Sequence, residues 1–351
     1  YFRLRGIDLL VTPNHKMVAA ISAGQNEYKK FSLVEAKELV GIHFRLKKDA
    51  VWGGEILDGW EIPSFRNKPN KILERDGEGK ILRSEGHQYS KDSKKIPIKE
   101  FLQFLGFYIA EGSGNKNIIS LAQMPYSKGW KPIKECLSKL GINYKEGKDR
   151  FEIKDTQFSS YIKNLIPGYC YGKRIPREIL NLSPLLLKHL FDFMMLGDGC
   201  GDESYVTTSE GLKDDFMELV NKLGWSGNSK SYDRIGEGGF IKGRKIESKR
   251  LIYVISINRK HLNPRLNHHN TMKSEDCFEL DYKDKIYCLN LEKNHILLVE
   301  RNGKTCWSGN SIAGMVRHYY PSVSRRKIED AREQYEQRVQ LVNQGYAFKK
   351  G

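Results

Sequence analysis

The sequence predicts an α+β protein in which an all-β domain is interrupted by a repeated region of helices and strands. Short apolar runs broken by Gly, Asn and Pro occupy residues 1–62 and 263–310, a pattern typical of small strands. Between them, the order helix, strands, helix, strands occurs twice over residues 97–262. Residues 63–96 are polar and basic, as in a linker or a mobile, DNA-contacting excursion, and residues 311–351 form a separate extension.

Local patterns predict further elements in the flanking regions. Asn302-Gly303 between two apolar runs indicates a β-hairpin, and Lys285–Leu291 has the composition of a strand. Ser32–Val40 is predicted to be a helix, and Arg325–Val342 has apolar residues spaced for an amphipathic helix.

Composition limits the classes of partner. The 351 residues carry 59 Lys and Arg against 43 Asp and Glu, a net charge of +16, and 39% are hydrophobic, which excludes a disordered basic tail. No apolar run approaches the roughly 20 residues of a membrane span, so we expect no membrane partner. Six widely spaced cysteines without a CxxC pair favour a reduced, intracellular (cytoplasmic) protein. A folded basic chain is typical of nucleic-acid binding, with a soluble basic protein as the alternative.

The repeat contains two acids in matching positions. Phe101–Gly112 and Leu190–Gly199 each consist of an apolar helix that ends in a small residue, an acid and a glycine. Close packing of the two helices through Gly106 would bring Glu111 and Asp198 together. Two neighbouring carboxylates require a cation, and Mg²⁺ suits both carboxylate oxygens and phosphodiester hydrolysis. The alternative is two ordinary acids at helix ends, but their repetition favours a metal site.

Phe104–Gly112 and Phe191–Gly199 resemble the paired motifs of a single-chain LAGLIDADG homing endonuclease. The resemblance implies a pseudo-twofold αββαββα repeat, whose saddle-shaped antiparallel sheets lie on double-stranded DNA with a long recognition site. It also implies that Glu111 and Asp198 bind Mg²⁺ (or Mn²⁺) and cut both strands.

The same resemblance implies lysines near the metal. Lys173 lies in a block similar to one that supplies such a lysine, and Lys260 is its predicted counterpart because each lysine follows its acid by 62 residues. A phosphate contact or a solvated charge is the alternative for both lysines. The basic stretch 229–250 predicts a flexible DNA-contacting hairpin, with a solvated loop as an equal alternative. Its basic residues are Lys230, Arg234, Lys242, Arg244, Lys245, Lys249 and Arg250.

Thr12 and His15 follow a strand directly, and a strand pair precedes the junction Asn310-Ser311. With these residues, the flanking segments resemble the splicing domain of an intein, a horseshoe-like all-β fold with an endonuclease inserted in its middle. The resemblance implies that Thr12 and His15 polarise the upstream scissile peptide. Residues 1–62 and 263–310 are then the two parts of the splicing domain.

The resemblance also implies chemistry at the carboxyl junction. Asn310 would cyclise and cleave its bond to Ser311, the downstream nucleophile, with proton transfer by His295. Cys288 would tune these steps or act as a nucleophile. The alternatives are that the histidines are ordinary turn residues and that Cys288 is a small buried side chain.

Two departures from the intein pattern lead to further expectations. Gly309 stands where the family usually has His, and the first splicing block is absent, since the sequence opens within a strand pattern. We therefore expect the large piece of a split intein that needs a complementary amino-terminal fragment, or a truncated or engineered product. Residues 311–351 would be the downstream extein segment of a phage, bacterial or archaeal host protein.

The predicted function is a site-specific homing endonuclease embedded in an intein, with cleavage at Asn310-Ser311. The alternatives are a non-cleaving, maturase-like module that binds DNA or RNA, and a protein whose autoprocessing is its only activity.

Overall fold

The computed structural model describes residues 1–67, 71–85, 90–115, 118–241, 243–266, 276–283 and 295–309. The chain divides into a discontinuous unit, residues 1–49 with 260–351, and a central unit, residues 50–259. Strands and helices both occur, which confirms the mixed α+β class. Among the described helices, none has the length and apolar character that crossing a membrane requires.

The described elements follow one another as short strands and six α-helices. The strands are β1 (Phe2–Leu4), β2 (Ile7–Leu9), β3 (Lys16–Ile21), β4 (Ser32–Glu35), β5 (Phe44–Leu46), β6 (Gly59–Ile62), β7 (Phe65–Arg66), β8 (Lys71–Arg75), β9 (Ile81–Glu85), β10 (Ser90–Lys91), β11 (Lys94–Pro97), β12 (Gly112–Asn115), β13 (Ile118–Ala122), β14 (Tyr144–Glu146), β15 (Arg150–Ile153), β16 (Gly199–Cys200), β17 (Ser204–Thr207), β18 (Ser226–Tyr232), β19 (Gly238–Ile241), β20 (Arg244–Glu247), β21 (Ile252–Asn258), β22 (Arg265–Leu266), β23 (Ile296–Arg301) and β24 (Lys304–Gly309). The helices are α1 (Ile98–Glu111), α2 (Trp130–Lys139), α3 (Thr156–Leu165), α4 (Arg177–Leu180), α5 (Pro184–Asp198) and α6 (Glu210–Lys222), with a 3₁₀ helix at Ala36–Leu39.

The discontinuous unit is built around β3, which pairs antiparallel with β4, β5 and β24. β22 pairs with β5, β23 pairs with β24, and β1 and β2 form a hairpin. Met17, Phe44 and Leu46 are fully buried and form a core with Phe2 and Leu39. The apolar runs of the flanking segments therefore become strands because each buries its side chains against this core.

The hairpin between β23 and β24 confirms the prediction from Asn302-Gly303. Arg301 and Lys304 are the last ladder pair, so the loop has two residues. Asn302 and Gly303 have φ angles of 48° and 70°, both in the left-handed region that this tight turn requires.

One predicted helix of this unit is wrong. Within Ser32–Val40, residues Ser32–Glu35 form β4 instead, because they pair with β3 in a ladder that joins Ala19 to Ser32; only a 3₁₀ turn follows. Tertiary pairing has overridden local helix propensity here. The predicted strand Lys285–Leu291 and the predicted helix Arg325–Val342 both lie outside the described residues.

The central unit contains two similar series of elements. After α1 come β12, β13, α2, β14, β15 and α3; after α5 come β16, β17, α6, β18 and β21, with β19 and β20 as an inserted hairpin. The strand orders correspond, β12-β13-β15-β14 in the first series and β16-β17-β21-β18 in the second. The same sheet topology therefore occurs twice.

Alternation of side chains explains how the first of these sheets covers its core. Ile119 pairs with Ile153 and Leu121 with Phe151, and all four side chains are fully buried. The intervening pair, Ser120 with Glu152, points to the opposite face. This leaves one polar face on a sheet whose other face packs into the core of the unit.

Residues 63–96, predicted to be a linker or a DNA-contacting excursion, contain strands within the central unit. β11 pairs with β6, β10 with β7, and β8 with β9. The Gln157 side chain donates hydrogen bonds to the carbonyl oxygens of Pro63 (2.9 Å) and Asp92 (2.8 Å). The segment therefore contains paired strands and contacts α3, and its role as a linker or as a DNA-contacting excursion stays a prediction.

The contact between α1 and α5 depends on two glycines. A Cβ atom on Gly106 would lie 2.4 Å from the carbonyl oxygen of Leu190, and one on Gly197 would lie 2.4 Å from the Cβ of Ala110. Real side chains essentially never approach so closely, so only glycine permits this separation of the helix backbones. The predicted close contact through Gly106 is confirmed.

Replacing Gly106 with alanine should force the two helices apart. We expect Gly106→Ala to lower the free energy of unfolding by about 1–3 kcal/mol, the usual cost of overpacking. Urea denaturation measures the change. Gly53→Ala is the control, because a Cβ atom there has no neighbour within 4 Å. Equal stability of Gly106→Ala and the parent would contradict the close contact.

Candidate metal centre at the ends of two helices

The two predicted acids are the last residues of the two packed helices, Glu111 of α1 and Asp198 of α5. The glycine after each acid turns the chain directly into a strand, with φ angles of −79° at Gly112 and −72° at Gly199. These φ angles are ordinary for any residue, so glycine is required because there is no space for a Cβ atom. A Cβ atom on Gly199 would lie 2.2 Å from the carbonyl oxygen of Met195 in the last helical turn.

The structure brings Glu111 and Asp198 together. A Cβ atom on Gly197, the residue before Asp198, would lie 3.2 Å from the Cγ of Glu111. The charge of Glu111 also contributes to raising the pKa of Asp198. The two carboxylates therefore occupy one edge of the helix contact, as the repeat predicts.

Burial disfavours the charged forms of both acids. It raises the pKa of Asp198 to about 7, with a second contribution from Glu111 and opposing contributions from Lys173 and Tyr205. Burial likewise raises the pKa of Glu111, which Lys173 opposes. Both carboxyl groups therefore favour their neutral forms more than exposed acids do, and a nearby cation would oppose this shift.

Lys173 is the cationic side chain of this site, and it is buried. Its ammonium group donates hydrogen bonds to the carbonyl oxygens of Tyr108 (2.6 Å), Ile109 (3.0 Å) and Gly112 (2.6 Å). Burial lowers its pKa to about 8, although the charges of Asp198 and Glu111 raise it. Three donors thus meet three acceptors at the carboxyl end of α1, where a positive charge also stabilises the helix dipole. The alternative of a solvated charge is excluded by its 3% exposure.

Tyr205 is a residue of this site that the sequence analysis missed. Its hydroxyl group donates a hydrogen bond to Oδ2 of Asp198 at 3.4 Å, and its side chain is fully buried. Tyr205 pairs with Gly199 across β16 and β17, whereas Leu121 pairs with Gly112 at the matching position of the first series. A polar aromatic residue on the strand after the second acid is the signal that could have identified it.

Lys260 does not occupy a position like that of Lys173. It is exposed, and it belongs to the discontinuous unit. The equal spacing of 62 residues is misleading, because the first interval includes α3 while the second includes the inserted hairpin of β19 and β20. The predicted equivalence of the two lysines is therefore wrong.

The predicted basic stretch 229–250 contains a hairpin, formed by β19 and β20. Two of its cations lie beside acids, Arg234 with Glu237 at 3.9 Å and Lys245 with Glu247. These pairs leave less positive charge for a DNA contact than the count of cations predicts. The other predicted residues are Lys230, Lys249 and Arg250, which are exposed, Arg244, which lies in β20, and Lys242, which lies outside the described residues.

A second group of predicted residues lies near the end of β24. Nε2 of His15 is 2.7 Å from Oγ of Ser308, and burial lowers the pKa of His15 to about 4. His295 immediately precedes the ladder pair of Ile296 with Gly309. The buried hydroxyl of Thr12 has no hydrogen-bond partner among the described residues. The remaining predicted residues, which lie outside that part of the chain, are Cys288, Asn310 and Ser311.

The donor set at Glu111 and Asp198 fits a hard cation with few protein ligands. Two carboxylates are available there, and in the described part of the chain no cluster of three or more His, Cys, Asp or Glu side chains could hold a metal. Mg²⁺ is commonly held by one or two carboxylates, with water and substrate phosphates as further ligands. The residues present therefore fit Mg²⁺ or Mn²⁺ better than a metal that needs an all-protein site.

Two curated proteins are similar to the chain. The DNA-directed RNA polymerase subunit beta C-terminal section of Stigeoclonium helveticum is 28% identical, over 87% of this chain and 31% of that protein. The ATP-dependent Clp protease proteolytic subunit of Chlamydomonas moewusii is 27% identical, over 62% of this chain and 22% of that protein. The chain thus spans less than a third of either relative. No protein-family profile matches it.

These relatives overturn the predicted function. The sequence analysis predicts a homing endonuclease embedded in an intein, but the relatives are named as an RNA polymerase subunit and a Clp protease subunit. Neither name is that of an intein, a homing endonuclease or a LAGLIDADG protein, so that prediction and its maturase-like and autoprocessing alternatives are corrected. The carboxylate pair, its metal and its nucleic-acid partner are separate predictions that neither name tests.

Because the carboxyl group of Asp198 is partly buried, the stability of the metal-free protein should depend on pH. Because the pKa of Asp198 is raised in the folded protein, its protonated carboxyl group contributes fully to the free energy of unfolding below about pH 4. That contribution is lost as the pH rises through about 7. At about pH 8, Asp198→Asn should therefore be more stable than the parent, on the order of 2 kcal/mol after allowance for partial solvent exposure.

Urea denaturation in EDTA at both ends of this pH range measures that difference. Asp192→Asn is the matched control, because Asp192 lies on the same helix but pairs with Lys188 at the surface. At the higher pH, this surface substitution should change the free energy of unfolding by less than about 0.5 kcal/mol. A parent protein that is as stable as Asp198→Asn at the higher pH would contradict the electrostatic account.

Proposed function

We propose that Glu111 and Asp198 bind one or more Mg²⁺ or Mn²⁺ ions and that the chain hydrolyses phosphodiester bonds of DNA with them. The observation that carries this proposal is the meeting of two half-buried carboxylates at the ends of two packed helices. Their raised pKa values mean that the metal-free pair is electrostatically unfavourable. Glu111 and Asp198 would hold a divalent cation there, and its charge would offset that repulsion and the charge of an anionic substrate.

Each neighbouring side chain has a definable part in this proposal. When bound, the metal supplies positive charge to the phosphate and lowers the pKa of a coordinated water. Lys173 holds the carbonyl groups at the end of α1, and so fixes the backbone that carries Glu111. Tyr205 directs one carboxylate oxygen of Asp198 through its hydrogen bond and leaves the other available to the metal. Both residues act as positioning residues.

Double-stranded DNA is the proposed partner. The chain has a net charge of +16. Lys230 lies on β18 directly opposite Val254 of β21, on the face that the core does not cover. Such cations bind the phosphate backbone and position the duplex without specifying a sequence.

The activities in the relatives' names are not carried to this chain. One relative is named as an RNA polymerase subunit and the other as a protease subunit, and the chain covers 31% and 22% of their lengths. The same segment is similar to parts of two proteins whose names state different activities. That similarity does not by itself explain either activity. The proposal therefore depends on the carboxylate site alone and includes neither homing nor splicing.

Removing either carboxylate should abolish hydrolysis and preserve binding. We expect Glu111→Gln and Asp198→Asn to lose Mg²⁺-dependent cleavage of supercoiled plasmid DNA and of a randomised duplex library. DNA affinity in a mobility-shift assay should remain close to that of the parent, because neither change removes a phosphate contact.

Asp192→Asn serves as the control that removes one carboxylate from α5 outside the site. It should cleave like the parent. Binding of Mn²⁺ to the protein alone, followed by calorimetry, should likewise persist in this control and be lost in the two site variants. Unchanged cleavage by both site variants would show that the metal centre is assigned to the wrong residues.

The affinity for DNA should fall steeply as the salt concentration rises. The logarithm of the binding constant should fall by about 0.9 per phosphate contact for each tenfold increase in salt. Fluorescence anisotropy with a labelled duplex in Ca²⁺ or EDTA measures this slope. A binding constant that does not change with salt would contradict DNA as the partner.

A further inference from the structure

An exposed aromatic loop lies directly before Lys173 and has no part in the site described above. Residues 167–172 connect α3 to the segment that carries Lys173. Tyr169 is 75% exposed and Tyr171 is 43% exposed, although both have large aromatic rings. Isolated apolar residues are normal on a surface, but two neighbouring tyrosines form a patch.

The two rings are arranged together with a cation. The ring centroids of Tyr169 and Tyr171 are 6.0 Å apart with an interplanar angle of 28°, a stacked arrangement. The guanidinium carbon of Arg250 lies 3.8 Å from the centroid of Tyr171. Arg250 comes from the other series of the central unit, so two distant segments of sequence build the patch.

Backbone contacts give this loop a defined shape. Gly168 has a φ angle of 97°, in the left-handed region, and its Cβ position would be 3.7 Å from the backbone of Gly172. The amide groups of Gly172 and Lys173 both donate hydrogen bonds to the carbonyl oxygen of Tyr169, at 2.8 and 3.1 Å. The three residues between the glycines are thus presented on a closed turn.

The loop is also connected to the metal centre. Lys173 is the first residue after the loop. Its ammonium group donates a hydrogen bond to the carbonyl oxygen of Gly112, the residue after Glu111. The aromatic patch therefore directly precedes the residue that holds the carbonyl groups at the end of α1, the helix that carries Glu111. A nucleic-acid chain with a phosphate at that pair would have its neighbouring nucleotides within the same region of the molecule.

We propose that Tyr169, Tyr171 and Arg250 form a stacking site for an unpaired base of the DNA bound at the carboxylate pair. Aromatic rings and guanidinium planes bind unstacked bases through their faces, irrespective of sequence. The positive charge of Arg250 adds attraction for the phosphate backbone. This inference rests on the proposed function, because it takes the same DNA as its ligand.

If the Tyr169 ring stacks on an unpaired base, removing the ring should weaken the binding of single-stranded DNA but not of the duplex. We expect Tyr169→Ala to weaken binding of a mixed-sequence single-stranded oligonucleotide about 10-fold, the usual loss for one stacked base. Binding of the fully paired duplex of the same sequence should change little. Tyr169→Phe should bind like the parent, because it keeps the ring and loses only the hydroxyl group. Anisotropy in EDTA measures binding without cleavage.

Tyr126→Ala is the matched control, because Tyr126 is another highly exposed tyrosine of the central unit. It should bind both DNA forms like the parent. A 2-aminopurine base in the single strand reports stacking directly, and its fluorescence should be quenched by the parent and Tyr169→Phe but not by Tyr169→Ala. Equal melting temperatures of the variants would show that the exposed substitution leaves the fold intact.

The proposal fails if the parent does not bind or quench the single strand, if Tyr169→Ala binds it like the parent, or if Tyr169→Phe is as weak as Tyr169→Ala. These results differ from a failure of the proposed function. Cleavage that survives Glu111→Gln and Asp198→Asn would overturn the metal centre, whereas loss of cleavage in those variants with no effect at Tyr169 would overturn the stacking site alone.

Discussion

The close crossing of α1 and α5 is the constraint on which the candidate site depends. Two glycines allow the helix backbones to approach, and this approach brings the terminal carboxylates of the helices into one half-buried region. Placing two acids at the negative ends of helix dipoles is unfavourable by itself. The buried ammonium group of Lys173 offsets part of this cost, since it satisfies carbonyl groups at the end of α1 while its charge lies close to both acids. The repulsion that remains between the two acids lowers the stability of the protein, as is common at functional sites.

The features that could be predicted from the sequence are those set by local pattern and repetition. The apolar helices, the acid at each end and the tight Asn302-Gly303 hairpin follow from periodicity and turn chemistry, and the structure contains them. Ser32–Glu35 could not be assigned in this way, because pairing with β3 decides its conformation. The three carbonyl acceptors of Lys173 depend on contacts between segments distant in sequence. The contact of Tyr205 with Asp198 is local, but it depends on how the chain turns from α5 into β16 and β17.

The two series of the central unit share a topology but differ at the site. The register that places Tyr205 opposite Gly199 places Leu121 opposite Gly112, so a hydroxyl group is available to Asp198 and an apolar side chain lies at the matching place near Glu111. Lys173 caps α1, whereas Lys260 is exposed and belongs to the discontinuous unit. Sequence spacing preserved through a repeat therefore does not preserve side-chain function when an insertion, here β19 and β20, changes what the interval contains.

This asymmetry has a chemical consequence for the carboxylate pair. Asp198 is the more strongly perturbed acid, because burial and the charge of Glu111 both raise its pKa, and its nearest hydroxyl donor is itself buried. Glu111 is affected mainly by burial, with Lys173 opposing. A cation shared by the two acids would consequently relieve more unfavourable energy at Asp198 than at Glu111. Two series with the same topology can thus supply two carboxylates with different pKa shifts. The local partners of each carboxylate, rather than the repeated topology, determine its contribution to binding a metal.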